Sequence, residues 1–126
     1  GMDAGKIYNS WPLMGNSYFP DDNNFISLLH LSALSDPSLV QFIHRNLAYI
    51  IGIFYTFIFY KIYKNKMKEL YKSINFLGCF IILQIILGIF TIIYGAQIFI
   101  ASMHQISSIF LVSSSIYFFF INTKFN

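Results

Sequence analysis

The chain has 126 residues, of which 56% are hydrophobic and only 10% charged. A soluble domain carries roughly 25% charged residues, so little of this chain can form a water-facing shell, and its hydrophobicity excludes disorder. The net charge of +3 is unevenly distributed: residues 1–43 hold Lys6 against Asp3, Asp21, Asp22 and Asp36, whereas 61–72 hold Lys61, Lys64, Lys66, Lys68 and Lys72 against Glu69. Basic residues gathered between two apolar runs are the pattern of a membrane protein's inner loop. They do not form the basic face of a nucleic-acid-binding domain, and no nucleic-acid partner is expected.

Taken in chain order, residues 1–36 form an outer loop. Within it Phe25-Ile26-Ser27-Leu28-Leu29-His30-Leu31 has the composition of a short helix lying on the membrane surface. Ser35-Asp36-Pro37 is a helix start, a capping side chain followed by proline in the first turn. A first helix over about 37–63 is roughly 40 Å long. That exceeds a hydrocarbon core of about 30 Å, so its first two turns project above the core.

From Ser73 to Thr123 there is no Asp, Glu, Lys or Arg. The run is too long for one span and suits two, with the break at Tyr94-Gly95-Ala96-Gln97. The spacing predicts helices near 73–94 and 100–121. Apolar and polar residues do not alternate, so a β-barrel is not indicated. Cys79, the single cysteine, lies inside this run and reads as a small packing residue. The predicted fold is all-α and polytopic: an outer segment 1–36, then a three-helix membrane domain 37–126. The lysines place 61–72 on the cytoplasmic or matrix side, with 1–36 and the turn at 95–99 outside.

Two histidines then line up. His44 lies about two turns into the first helix and His104 about one turn into the third. Both helices run inward, so both imidazoles sit at similar depth near the outer face. An ionisable residue in a membrane helix is a functional candidate, and two at matched depth form a candidate ligand pair. Ala48 and Gly52 follow His44 on its face, Ser107 and Ser108 follow His104, and Gln84, Gly88, Thr91 and Gly95 share a stripe on the middle helix. That leaves room for a flat ligand such as a porphyrin held by two imidazoles. Arg45, near the outer surface, is placed to pair with a haem propionate. Simpler roles stay open. Small residues serve close helix packing, a terminal histidine caps a carbonyl, and Arg45 anchors the helix at the interface. A zinc site lacks its third and fourth ligands, and His30 reads as a surface residue. No carboxylate lies in the spans, and no phosphate loop, nucleophile elbow or cysteine pair is present.

Four segments resemble the haem A synthase family of α-proteobacteria and mitochondria. Gly1-Met2-Asp3-Ala4-Gly5-Lys6-Ile7-Tyr8-Asn9-Ser10-Trp11-Pro12-Leu13-Met14-Gly15 is similar to its outer-loop motif, and Asp36-Pro37-Ser38-Leu39-Val40-Gln41-Phe42-Ile43-His44-Arg45 to its sixth helix. Leu87-Gly88-Ile89-Phe90-Thr91 resembles the seventh helix and Ala101-Ser102-Met103-His104-Gln105 the start of the eighth. The resemblance implies an eight-helix protein of two four-helix halves, which oxidises a ring methyl of haem O to the formyl of haem A for cytochrome oxidase. It implies that His44 and His104 are the axial iron ligands of a haem b cofactor. The substrate haem O and an essential acid then belong to the first half, which would precede Gly1, and the present chain holds no catalytic residue and is not active alone. It further implies an inner membrane location, bacterial or mitochondrial. Membrane lipid, the N-terminal half, haem O synthase and oxidase assembly factors are the partners. Two other readings of the residues remain: a small bis-histidine cytochrome for electron transfer, and a haem-free structural or assembly subunit.

Overall fold

The computed structural model describes residues 4–125, with nothing described of the Phe125 side chain. Gly1, Met2 and Asp3 of the first motif, and Asn126, lie outside the described residues. The fold is all-α. Three short 3₁₀ turns, Ala4–Lys6, Phe25–Leu29 and Leu31–Ser35, precede three long helices: α1 (Pro37–Lys64), α2 (Lys68–Ile93) and α3 (Ile98–Phe125). All three are long and apolar enough to cross a membrane. Among the described residues there is no strand, only one antiparallel bridge between Met14 and Ser17.

The start of α1 follows its sequence signal. The Asp36 carboxylate accepts a hydrogen bond from the Leu39 amide at 3.0 Å, and Pro37 fills the first helical position. Such a cap contributes about 1 kcal/mol. The other boundaries differ from those expected from charge. The lysine-rich stretch is mostly helical: Lys61 and Lys64 end α1, Lys68 and Lys72 open α2, and only Asn65, Lys66 and Met67 lie between. α2 therefore starts at Lys68 rather than near 73, and α3 runs past 121 to Phe125. Charge marks where the hydrocarbon ends, not where the backbone ladder ends, and lysine stems lie along a helix while their ammonium groups reach water. Lys61 and Lys64 fold over the rings of Phe57 and Tyr60, at 5.4 and 5.5 Å from the ring centroids. The short helix expected at 25–31 is instead two 3₁₀ turns separated at His30.

Two tight turns give an up-down-up bundle. Between α2 and α3, Gly95 adopts φ +62° and Ala96 φ +55°, left-handed conformations that reverse the chain within four residues. α2 packs closely along α3, whereas α1 meets α2 over a much shorter stretch. The tightest packing lies at the lysine end. There Ile62, Leu70 and Ile74 are buried among Tyr55, Phe59, Tyr71 and Phe118. The rings of Phe59, Tyr63 and Tyr71 stack in series, at 4.5 and 4.2 Å. Tyr55 lies over Gly78, its hydroxyl occupying the place a Cβ would take, and donates to the Ile74 carbonyl at 3.3 Å.

Candidate functional site

The opposite end of the bundle carries the histidines. α1 and α3 do not pack closely along their backbones, yet the rings of His44 and His104 meet between them. Their ring centroids are 6.3 Å apart and their planes 81° apart. The depth matching read from sequence thus becomes an actual contact. His44 is exposed and His104 half-buried.

His104 is held by α2. The Gln84 amide donates to the His104 carbonyl at 3.2 Å and lies 3.4 Å from its Nε2. The Ser107 hydroxyl bonds both the Gln84 side-chain oxygen and the His104 carbonyl. The ring rests on Gly88, where a Cβ would come within 3.2 Å of His104 Cε1. The space Gly88 leaves is therefore filled by the imidazole itself. His104 Nδ1 is buried and has no hydrogen-bond partner. The Gln84 amide nitrogen is a donor, so it bonds Nε2 only in the tautomer that carries the ring proton on Nδ1. Sequence reasoning placed Gln84 on the Gly88 stripe without giving it a task; the signal was an amide one turn from a glycine in an otherwise apolar helix.

Arg45 points elsewhere. It is only 6% exposed, and its two terminal nitrogens donate to the carbonyls of Leu13 and Tyr8, both at 3.1 Å. Its Nε is buried without a partner. Arg45 is one of a stripe on α1 that grips the preceding loop. Ser38 donates to Asp22 at 2.6 Å, Gln41 to the Tyr8 carbonyl at 3.0 Å, and Trp11 donates to the Tyr49 hydroxyl at 3.1 Å. Polar residues at 38, 41, 45 and 49 have helical spacing, a signal legible in the sequence but not used. Gly5 abuts Ala96, so the same loop reaches from α1 to the α2–α3 turn, across the histidine end.

Asp22 is the hub of this loop. Burial raises its carboxyl, but hydrogen bonds from Ser38, Tyr8 and Asn23 outweigh that and hold it below the ordinary carboxylate value. The Tyr8 phenol is raised by burial, by its hydrogen bond to Asp22 and by that carboxylate's charge. His30 is exposed between the two 3₁₀ turns. Cys79 is an exposed free thiol. Among the described residues no three His, Cys, Asp or Glu side chains gather at metal-binding distance. The histidine pair can supply two ligands and no more.

Three apolar helices, with two imidazoles meeting between the first and the third, define a multi-pass all-α membrane protein with a two-histidine site at one end. The family model described as cytochrome oxidase assembly protein matches residues 1–116. The chain belongs to this family, that of the haem A synthases. A protein of Pelagibacter ubique named Heme A synthase is 42% identical over 114 residues, 90% of this chain and 33% of its own length. Proteins of the same name from Rickettsia felis and Flavobacterium johnsoniae are 39% and 36% identical, covering 96% and 93% of this chain and 36% and 35% of theirs. The chain thus spans about a third of the length of the curated relatives it matches. No solved structure matches it.

Proposed function

We propose that this chain is the C-terminal, cofactor-binding part of a haem A synthase, with His44 and His104 as the two axial ligands of a haem b. The observation that carries this reading is the 6.3 Å separation of the two rings. His44 and His104 would hold one metal ion between them at about this separation, given metal–nitrogen bonds of about 2 Å. Family membership and the relatives' name support it. A haem held by two histidines supplies one-electron transfer.

The chain's own residues then have defined tasks. Gln84 and Ser107 fix the His104 ring, and Gly88 gives that ring its place. Arg45 holds the loop through its fork, and Nε is the one N–H it would have left for a propionate. The loop spanning 4–22 limits water at this end. In this reading the oxidation of haem O to haem A takes place against the preceding part of the protein, with no catalytic residue in these 126. The protein then resides in a bacterial cytoplasmic or mitochondrial inner membrane, with its lysine end on the cytoplasmic or matrix side. Haem O synthase and oxidase assembly factors are its protein partners.

The test is spectroscopic, on the full-length protein in membranes. His44→Ala and His104→Ala are each expected to abolish the low-spin bis-histidine haem b signal. If both variants keep the unaltered spectrum, the ligand assignment is wrong. If the wild-type protein purified from haem-supplied membranes shows no Soret band, the cofactor reading fails as a whole.

A further inference from the structure

The segment between the loop hub and α1 has no part in the histidine site. From Asn23 to Ser35 it carries no Asp, Glu, Lys or Arg. Its two 3₁₀ turns hold Ala33 inward at 3% exposure and turn five large apolar side chains outward. Phe25, Ile26, Leu29, Leu31 and Leu34 are 68%, 67%, 84%, 89% and 62% exposed. A chain surrounded by water does not keep such a patch bare. We propose that residues 25–34 are an interfacial anchor, seated in the boundary between lipid headgroups and acyl chains where α1 enters the membrane.

Three observations favour lipid over a protein partner. The segment runs directly into the Asp36 cap of a membrane-spanning helix whose first two turns stand just above the hydrocarbon core, so the headgroup layer is the medium next to it. It is also tied to the side of that helix. Phe25 stacks on Phe19 at 4.2 Å, and Phe19 packs edge-on against Phe42 of α1 at 5.0 Å. Finally, part of its polar backbone is satisfied locally, which lowers the cost of partial dehydration. Asn24 accepts from both the amide and the hydroxyl of Ser27 at 3.0 Å. The amides of His30 and Ala33 bond to carbonyls three residues back, at 3.3 and 3.0 Å. With no Lys or Arg, the anchor works chiefly by apolar burial, unlike the basic amphipathic helices that need anionic lipid.

The experiment uses the full-length protein, reconstituted into phosphatidylcholine vesicles, in a Cys79→Ser background cleared of any other accessible cysteine. An environment-sensitive fluorophore is attached at Leu29→Cys or Leu31→Cys, positions exposed enough to be labelled without disturbing the fold. A nitroxide carried near the lipid headgroup is expected to quench either label several-fold more than one at the acyl chain end. Adding anionic lipid is expected to leave that ratio unchanged. Quenching by aqueous iodide but by no lipid nitroxide would show the segment in water and overturn the proposal. Protection from both quenchers would show it covered by protein, and quenching that requires anionic lipid would show electrostatic docking; either result overturns it too. None of these outcomes depends on haem, so the anchor stands or falls apart from the ligand assignment.

Discussion

The two ends of the bundle are built on opposite principles. At the lysine end all three helices close on one another through apolar and aromatic side chains, and Tyr55 is pressed so close to α2 that only a glycine fits beneath it. At the histidine end α1 stands away from α3, and polar groups do the connecting: imidazole to imidazole across the gap, Gln84 to His104 within the α2–α3 pair, and Arg45 to a loop. Packing of the first kind sets one geometry tightly and leaves no room. The second kind leaves an open cleft beside α1, lined by Ala48, Tyr49, Gly52, Ile53, Thr56 and Ile85. In a membrane, where apolar surfaces gain little by leaving lipid, close packing at one end can hold the helices while the other end stays receptive.

This contrast is broken most directly at Ile74, fully buried at 0% exposure in the lysine-end cluster. Ile74→Ala is expected to destabilise the bundle by about 2 kcal/mol, near the lower limit for such cavities because the transfer contribution is small in lipid. Denaturant unfolding in detergent measures it. With haem held as proposed, its low-spin spectrum is expected to stay as it is. A spectral change in this variant would show that the two ends are coupled.

Arg45 tests the other end. Arg45→Ala removes both bonds that hold the loop to α1 through the carbonyls of Tyr8 and Leu13. Hydrogen bonds from a charged donor contribute about 1.5–3 kcal/mol each at most, and relief of a buried cation offsets part of that. Limited proteolysis is expected to cut within 8–22 several-fold faster, while cleavage between α1 and α2 stays slow. Arg45→Lys is expected to restore little, because a point charge cannot reach two carbonyls in a fork. Unchanged proteolysis in Arg45→Ala would remove the guanidinium from its role as a clasp.

Gly88→Ala separates stability from site geometry. A methyl group there comes within 3.2 Å of the His104 ring, a strain of about 1 kcal/mol. The gain of alanine over glycine inside a helix is also about 1 kcal/mol. The two nearly cancel, so the unfolding midpoint is expected to move little. The ring must still shift by a few tenths of an ångström, and with haem bound as proposed its potential is expected to move too. A changed midpoint with an unchanged potential would reverse this account of Gly88.

How much of this was readable in advance follows from what each residue responds to. Helix number, the Asp36 cap and the break at Gly95 are local features, and the sequence states them directly. The pairing of His44 with His104 needed only helix direction and depth. The ends of α2 and α3 were misjudged because lysines report the membrane boundary, while the helix itself continues through them. Arg45 was placed near the outer surface as a propionate partner or interface anchor, and its hold on the loop was not seen, because that depends on carbonyls more than thirty residues earlier in the chain that leave no mark in the side-chain pattern. Gln84 was visible as an oddity, but its partner lies on another helix.

The smallest expected effect concerns pH, and it too sets the two ends apart. Asp22 has a folded value below its ordinary one, so the unfolded or released loop takes up a proton first as the pH falls. Its contribution to holding the loop is therefore complete above about pH 4, the ordinary carboxylate value. It is lost as the pH drops through the depressed folded value. The carboxylate is largely open to solvent, so screening keeps the contribution small. Trp11, the single tryptophan of this chain, is bonded to Tyr49 within the clasp and reports on it by fluorescence. Its emission is expected to be steady from neutral pH down to about 4 and to shift towards that of exposed indole only below that. Asp22→Asn still accepts one bond but cannot titrate, so it is expected to flatten the acid transition while lowering loop order slightly at neutral pH. The lysine end holds one carboxylate, Glu69, and its packing around Ile74 is apolar; unfolding of that end is expected to show no matching acid step. An acid transition in Trp11 emission that survives Asp22→Asn would move the hub of the loop to another residue.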